Sequence, residues 1–242
     1  YFNMCGHGTI GAVTCMLETG LVTPGETEAT VCLEVPAGTI DVRAVIQEGH
    51  VTSVSLENVP AYVWERELKV PFEGRTVPVA LAYGGLWYAI VQSDDLGIDV
   101  LPENIRKLME RADRLKAEVN RQLDQRRAAG EQAPLMDSAM VYTRFPERKA
   151  TKNIVVLAHN KFDRSPCGTG SSALAALLTE QGLLDGGEPF TREGILGTAF
   201  QVHAKHRVES AGRQAIQPVV TGSAYITSFG QLVIDSRDPL QG

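Results

Sequence analysis

Cysteine is scarce in this sequence, and its few residues stand far apart. The chain of 242 residues contains four cysteines, namely Cys5, Cys15, Cys32 and Cys167. They are too few and too scattered for a disulfide scaffold. No CxxC pair is present, so the sequence predicts no structural zinc site. Free thiols suit a reducing compartment, and we therefore expect a cytoplasmic protein.

Long apolar runs and basic clusters are missing as well. No stretch reaches the roughly 18 apolar residues that a membrane span requires, so we expect no membrane partner. The net charge is −6, and no Lys/Arg cluster offers a phosphate-binding stripe, which argues against nucleic acid. His203 and His206 form a short H-x-x-H, but on a strand this spacing places the two rings on opposite faces. With no nucleotide-type glycine loop either, we expect neither a metal nor a cofactor.

What the chain does contain is an internal repeat. Residues 5–22, CGHGTIGAVTCMLETGLV, align without gaps with residues 167–184, CGTGSSALAALLTEQGLL. In each segment a cysteine and a cluster of Gly with Thr or Ser suit a helix N-terminus, and apolar residues follow at helical spacing. Gly20 and Gly182 predict the two helix ends. Most other positions are small or apolar, so we expect both helices to be buried nearly all round.

Strands and one further helix complete the predicted elements. Runs rich in Val, Ile, Thr and Tyr, separated by turn residues, predict strands, and a charged run over about 102–129 predicts a helix with a solvated face. The predicted strands cover 30–35, 39–46, 51–56, 68–72, 76–82, 86–92, 139–143, 153–158, 200–207, 215–220 and 223–234. His159, close to the second repeat segment, is predicted to lie in a loop.

The sequence therefore predicts an α+β fold of two similar domains. The first covers 1–80 and the second 81–242, with the last strand free to return to the first domain. The repeat alignment also leads us to expect that most strands preceding the first helix are absent. Any targeting signal would be absent with them, since Tyr1 does not look like a natural start.

The two cysteines suggest a specific chemistry. A helix N-terminus carries unpaired N–H groups and a partial positive charge, which favour a thiolate and can hold a carboxylate. Two such helix starts facing each other would supply two thiols and an anion site in one pocket. Inversion of a C–H stereocentre uses two acid/base groups on opposite sides of one carbon, because one thiolate removes the α-proton and the opposite thiol protonates the other face. The sequence thus nominates Cys5 and Cys167 as an acid/base pair.

Other interpretations of these residues stay open. Cys5 and His7 could form the nucleophilic dyad of a hydrolase, although Cys167 would then have no role. A lone cysteine is usually a small buried apolar residue, and we expect Cys15 and Cys32 to be buried in this way. From a different class, the chain could be an amino-acid-binding protein without activity, for which loss of a thiol would be the expected mark.

Two longer motifs resemble those of a known family. MCGHGTIG at 4–11 and DRSPCGTGSSA at 163–173 resemble the two signature motifs of the proline racemase family, and GSAYITSFGQLVIDSRDP near the end extends the likeness. The family includes proline racemase, 4-hydroxyproline 2-epimerase and trans-3-hydroxyproline dehydratase. The resemblance implies a diaminopimelate-epimerase-like fold, in which each of two domains wraps a curved, mostly antiparallel sheet on a buried central helix. It implies a cofactor-independent isomerase acting on a small molecule, and it leaves a homodimer open.

The resemblance also implies roles for individual residues. By it, Cys5 and Cys167 are the two bases, and Asp163 receives the ring ammonium of the substrate. His7 would help to orient the pocket. The carboxylate site would be lined, largely through backbone N–H groups, by Gly6, His7, Gly168 and Thr169.

Three positions bear on the choice of reaction and substrate. The dehydratases of the family carry Thr or Ser at the second base, so Cys167 favours racemisation or epimerisation, with dehydration as the alternative. Ser138 stands where hydroxyproline epimerases often have His and proline racemases often have Cys, and Leu157 stands where proline racemases often have Phe. A small hydrogen-bonding side chain and a missing aromatic wall favour trans-4-hydroxy-L-proline over proline.

Overall fold

Strands contain more residues than helices in the computed structural model, which describes residues 3–158, 161–184, 187–231, 233–235, 237 and 239. Its helices are α1 (Gly6–Glu18), α2 (Ser93–Leu96), α3 (Ile105–Ala128) and α4 (Gly168–Glu180). Its strands are β1 (Glu28–Val35), β2 (Gly38–Gln47), β3 (His50–Glu57), β4 (Tyr62–Phe72), β5 (Arg75–Tyr83), β6 (Trp87–Gln92), β7 (Ser138–Phe145), β8 (Ala150–Ala158), β9 (Lys161–Phe162), β10 (Phe190–Gly194), β11 (Ala199–Ser210) and β12 (Arg213–Gly222). The predicted α+β class is confirmed.

The described strands form one sheet. Their order is β1-β2-β3-β12-β11-β10-β8-β7-β6-β5-β4, with β9 paired to β8. Neighbours run antiparallel except for the pairs β6–β7 and β8–β10, which are parallel. Because β12 pairs with β3, the sheet joins strands from both predicted domains. The division into 1–80 and 81–242 stays a prediction.

Helices α3 and α4 pack on opposite faces of the sheet. Along β7, Met140 and Tyr142 enter the core cluster that contains α4, whereas Ala139 and Val141 enter the cluster that contains α3. This alternation follows from the two-residue period of a strand. Helix α3 buries one apolar stripe and leaves its charged side chains on the solvent side, as predicted. The stripe consists of Leu108, Ala112, Leu115, Val119 and Leu123.

The two repeat helices end as predicted but differ in burial. Gly20 and Gly182 adopt positive φ angles of 74° and 69° directly after α1 and α4, where an αL glycine ends a helix at least strain. Helix α4 is buried from Gly168 to Thr179. Helix α1 buries only one face, so the expectation that it is buried all round is wrong.

The predicted burial of Cys15 and Cys32 is also wrong, because both are exposed. Cys15 lies on the uncovered face of α1, and Cys32 points away from the core on β1, which is an edge strand. Composition shows that a residue is suited to a core, but it does not show which face is covered.

The strand predicted over 223–234 does not form in the described residues of that segment. Four of its large side chains are more than four-fifths exposed, namely Tyr225, Phe229, Val233 and Ile234. Strand preference depends on a face that can be packed, and these side chains have none. His159 lies outside the described residues. None of the described helices is long and apolar enough to cross a membrane.

Candidate active site

Cys5 and Cys167 occupy equivalent positions, since each is the N-cap residue of a helix, α1 or α4. The two helices meet at the glycines that follow. A Cβ atom placed on Gly6 would lie 2.8 Å from the Cα atom of Gly168, and one placed on Gly168 would lie 2.8 Å from Gly6 Cα. No larger residue fits either position without moving a backbone. The two helix N-termini therefore touch directly.

Each thiol also lies against a glycine three residues further along its helix. A Cβ atom on Gly8 would be 3.0 Å from Cys5 Sγ, and one on Gly170 would be 3.0 Å from Cys167 Sγ. With glycine at these positions, the sulfur atoms can stay close to the unpaired N–H groups of the first turn. The repeat seen in the sequence is thus a repeat of local geometry.

Cys5 is the exposed thiol of the pair. Its Sγ atom lies 3.7 Å from Nε2 of His7. The hydrogen bond with His7 lowers the pKa of the Cys5 thiol below its ordinary value of 9.0, although partial burial opposes this change. Cys5 therefore loses its proton more readily than a free cysteine.

His7 is held on its other side by Asp163. Its Nδ1 atom lies 3.5 Å from Asp163 Oδ2 and 3.1 Å from Ser165 Oγ. The hydrogen bond with Asp163, reinforced by the one with Cys5, raises the pKa of His7 from 6.5 to about 10. Burial alone would raise the pKa of Asp163, but the hydrogen bond and charge of His7 outweigh it, so that the pKa falls below 3.8. At neutral pH, Asp163 thus keeps the His7 ring charged, and this imidazolium lies beside the Cys5 thiol.

Cys167 is the buried thiol, with 3% of its surface exposed. Desolvation, and after it the negative charge of Asp163, raises the pKa of Cys167 to about 12, although a hydrogen bond from Tyr88 acts in the opposite direction. The hydroxyl of Tyr88 lies 3.4 Å from Cys167 Sγ and 2.6 Å from Thr169 Oγ1. The surroundings of Cys5 thus favour its charged form, and those of Cys167 favour its neutral form.

The loop that leads into α4 holds Cys167 in an unusual backbone conformation. Its φ is +66°, a value that non-glycine residues seldom adopt. The backbone N–H of Cys167 donates to Ser165 Oγ at 3.0 Å, and the backbone N–H of Ser165 donates to Asp163 Oδ1 at 2.8 Å. Such strain persists where surrounding bonds over-determine the geometry, which is common at functional sites.

A cavity of about 860 Å³ adjoins this cluster. Its walls include His7, Leu157, Phe162, Asp163 and Phe200. Cys5 borders a second cavity of about 290 Å³, together with Gly8 and Thr9. Among the described residues, no group of three or more His, Cys, Asp or Glu side chains is placed to hold a metal ion.

The structure brings seven of the predicted site residues into one cluster: Cys5, Gly6, His7, Asp163, Cys167, Gly168 and Thr169. The eighth, Ser138, is not among the residues that line the larger cavity. Ser138 is 1% exposed and pairs with Tyr88 in the parallel register of β6 and β7. Its Oγ atom has no hydrogen-bond partner among the described residues.

Sequence reasoning missed Tyr88 and Ser165. Ser165 belongs to the quoted motif DRSPCGTGSSA, so its position beside the cysteine was a usable signal. Tyr88 comes from a strand 79 residues before Cys167, and no local pattern connects the two. Only the packing of β6 against α4 reveals its contact with the thiol.

Comparison with known proteins identifies the family. The family model described as proline racemase matches residues 1–242, and the chain therefore belongs to this family. It is 39% identical to a proline racemase of Clostridioides difficile, over 100% of this chain and 72% of that protein. It is 36% identical to a 4-hydroxyproline epimerase of Brucella suis, over 98% of this chain and 71% of that one.

A solved structure agrees with both relatives. The crystal structure of a hydroxyproline epimerase from Agrobacterium vitis, with bound trans-4-hydroxy-L-proline, superposes with a TM-score of 0.86 at 31% identity. The match covers 95% of this chain and 66% of that chain. The chain thus spans about two thirds to three quarters of the length of these relatives. Proline racemases and 4-hydroxyproline epimerases are isomerases, and the enzyme class predicted for this chain is thereby confirmed.

Proposed function

We propose that this protein inverts the α-carbon of a proline-type imino acid by a two-base mechanism in which Cys5 and Cys167 exchange roles. The observation that carries the proposal is the direct contact of two cysteine-capped helix starts at Gly6 and Gly168. This contact supports a shared site, because Cys5 and Cys167 immediately precede the two glycines and each helix start carries unpaired N–H groups.

The proton transfers balance between the two thiols. When Cys5 is the thiolate, it takes the α-proton and becomes a thiol, while the Cys167 thiol gives its proton to the opposite face and becomes a thiolate. The reverse reaction starts from the Cys167 thiolate. The contacts of Cys5 with His7 and of His7 with Asp163, together with the burial of Cys167, favour the form in which Cys5 is the thiolate. No cofactor is needed, since both reacting groups belong to the protein.

The substrate carboxylate would lie at the joined helix N-termini. Backbone N–H groups of Gly6, His7, Gly168 and Thr169 stand in the first turns of α1 and α4, and such groups bind anions. As the α-proton leaves, negative charge spreads onto the carboxylate, where these fixed donors stabilise it.

Asp163 would accept the ring ammonium. The carboxylate already receives the Ser165 N–H and faces His7, and an ionised carboxylate has capacity for further donors. It also lines the larger cavity, so a ligand there can reach it.

The four cysteines are all free, which suits an enzyme of the cytoplasm.

For the substrate we propose trans-4-hydroxy-L-proline over proline. The buried Ser138 Oγ, unpartnered among the described residues, can bond a ring hydroxyl, and a site with such a group discriminates against a ligand that lacks one. Leu157 contributes a wall of the larger cavity without the bulk of an aromatic ring. Ser138 would reach the ligand from the Tyr88 side of Cys167.

The test is an NMR or chiral-chromatography assay of the purified protein in deuterated water, once with trans-4-hydroxy-L-proline and once with proline. We expect inversion with deuterium incorporation at the α-carbon, and a loss of about a hundredfold or more in Cys5→Ser and in Cys167→Ser. Full conversion by either single variant would contradict the two-base scheme. Dehydration of trans-3-hydroxy-L-proline would support the alternative activity instead.

The substrate preference has its own comparison. Ser138→Ala should lower kcat/KM for hydroxyproline and leave that for proline unchanged. The matched control is Ser93→Ala, because Ser93 is another buried serine but has its own partner in Thr143 at 2.7 Å. Equal kcat/KM values before and after Ser138→Ala would assign Ser138 a space-filling role only.

A further inference from the structure

Behind the buried thiol lies a fully buried cation with neutral neighbours. Arg192, on β10, has no exposed surface. Its Nε donates to Ser171 Oγ at 3.2 Å, one terminal nitrogen donates to Thr151 Oγ1 at 2.6 Å, and the other lies 3.4 Å from Met140 Sδ. Within the described part of the chain, no carboxylate forms a salt bridge with its guanidinium. Buried charges are ordinarily paired, because an unpaired one is costly.

Contacts connect Arg192 to the first turn of α4. Ser171, which accepts from Arg192, donates its own backbone N–H to the carbonyl of Cys167 at 2.8 Å. Met140, the sulfur neighbour of Arg192, lies against Gly170, where a Cβ atom would be 2.6 Å from Met140 Cε and 3.0 Å from Cys167 Sγ. Arg192 is therefore separated from Cys167 by one layer of side chains, Ser171 and Met140.

We infer that Arg192 is the counter-charge of the Cys167 thiolate and that it makes Cys167 usable as a base in the proposed racemisation. The inference rests on the proposed two-thiol function. Every turnover passes through a state in which the negative charge sits on Cys167. Burial and the charge of Asp163 oppose that state, and a fixed cation in a low-dielectric interior offsets them. Arg192 does not touch the substrate and is a positioning residue in this sense.

Other groups around the thiol do not supply this charge. Tyr88 on β6 presents a neutral hydroxyl to the thiol, and Tyr142 on β7 is a neutral phenol near Arg192, since burial raises the pKa of both tyrosines. On the α1 side, the imidazolium of His7 is engaged with Asp163 and Cys5. The titratable and charged groups near Cys167 are thus Asp163, Tyr88, Arg192, Tyr142, His7 and Cys5.

Three variants separate charge from structure. Arg192→Met removes the charge and keeps an apolar side chain of similar length. Arg192→Gln removes the charge but keeps a hydrogen-bond donor. Thr151→Val keeps the charge but removes one hydrogen-bond acceptor of Arg192. A merely structural role predicts similar effects for Arg192→Met and Thr151→Val.

The first readout needs no substrate. With Cys5, Cys15 and Cys32 replaced by Ser, Cys167 is the single cysteine of the chain, and its alkylation by iodoacetamide at fixed alkaline pH reports its thiolate. We expect Arg192→Met to slow alkylation by about threefold or more, since a pKa increase of about one unit is partly offset by higher nucleophilicity. Arg192→Gln should slow alkylation about as much as Arg192→Met, because both remove the charge, and Thr151→Val should change the rate little.

The second readout is activity with otherwise native cysteines. Arg192→Met should lower kcat/KM by about tenfold, for about one pKa unit lost. The value of kcat/KM should fall by the same factor for both substrate epimers, because the ratio of the two values equals the equilibrium constant between the epimers, which the enzyme does not change. The denaturation midpoint of Arg192→Met should not fall, since an unpaired buried charge has been replaced by an apolar group.

Each failure has a distinct pattern. Unchanged alkylation in Arg192→Met, or an equal loss in Thr151→Val, overturns the role of Arg192 even if the enzyme is an active racemase. A native protein that shows no α-proton exchange overturns the proposed function, while the alkylation series still reports whether Arg192 stabilises the thiolate.

Discussion

The Cα atoms of Gly6 and Gly168 face each other so closely that a Cβ atom on either would lie 2.8 Å from the Cα atom of the other. This contact fixes how near the N-termini of α1 and α4 can come. Because Cys5 and Cys167 immediately precede these glycines, the same contact sets the relative position of the two thiols. The spacing of the proposed acid/base pair therefore depends on the absence of two side chains.

The glycine contact leads to the first prediction. Gly6→Ala and Gly168→Ala should each destabilise the fold by about 1–3 kcal/mol, as overpacking does, and should also reduce α-proton exchange by separating the thiols. The control is Gly11→Ala in the same helix, since nothing lies within 4 Å of a Cβ atom there. That variant should stabilise by about 0.4–1 kcal/mol. Denaturant titration and exchange rates measure both effects, and native-like activity in Gly6→Ala would contradict this account.

The second prediction concerns the unequal thiols. In a protein with Cys15→Ser and Cys32→Ser, iodoacetamide at neutral pH should modify Cys5 well before Cys167, because the thiolate is the reactive species. Cys5 is exposed with a lowered pKa, whereas burial raises the pKa of Cys167 to about 12. Peptide mapping by mass spectrometry identifies the modified site. Faster labelling of Cys167 would reverse the assigned asymmetry.

Tyr88 provides the third prediction. Its hydroxyl lies 3.4 Å from Cys167 Sγ. Burial raises the pKa of Tyr88 well above 10, so the hydroxyl keeps a proton that it can donate to the Cys167 thiolate. Tyr88→Phe should lower kcat/KM and slow the alkylation of Cys167, leaving that of Cys5 unchanged. Tyr83→Phe, a tyrosine that packs against Tyr62 and Trp87, is the control. An equal slowing at Cys5 would indicate a general disturbance of the fold.

Local patterns in the sequence predicted the elements of this site but not its surroundings. The cysteine-capped helices and their glycine ends at Gly20 and Gly182 are local features, determined by capping and αL geometry. The burial of α1 and Cys15 depends on which partner covers each face, and periodicity does not contain that information. For the same reason the strand predicted over 223–234 was wrong.

Contacts made across the sheet could not be predicted from the sequence. Tyr88 and Arg192 reach the first turn of α4 from β6 and β10, and neither lies near Cys167 in the sequence. The position of Ser138 beside Tyr88 likewise follows from the register of β6 and β7. Long-range pairing decides such placements, and single-sequence patterns do not encode it.

The fourth prediction is that activity needs no added group. The proposed chemistry uses two protein thiols and backbone N–H donors only. Exhaustive dialysis against a chelator should therefore leave kcat/KM unchanged, and neither divalent metals nor pyridoxal phosphate should increase it. Activity that returned only on adding one of these would overturn the mechanism.

The last prediction concerns the pH dependence of the His7–Asp163 pair. The pKa of His7 is raised from 6.5 to about 10 by Asp163, so its contribution to stability is complete below pH 6.5 and is lost as the pH rises through about 10. The pKa of Asp163 is lowered from 3.8, so its contribution is present above that pH and is lost on further acidification. The pair should stabilise the fold most between about pH 4 and 6.5.

Asp163→Asn tests this assignment directly. Without the carboxylate, the pKa of His7 should fall from about 10 towards 6.5, and the imidazole will then lose its charge near neutral pH. The pKa of Cys5 should rise in response, because its hydrogen bond with charged His7 is the main cause of its lowering. NMR titration of the His7 ring and the pH profile of Cys5 alkylation measure the two changes. Asp124→Asn, an exposed carboxylate on α3 paired with Arg127, should change neither. If His7 titrates alike in native protein and in Asp163→Asn, then Asp163 does not control the charge beside Cys5.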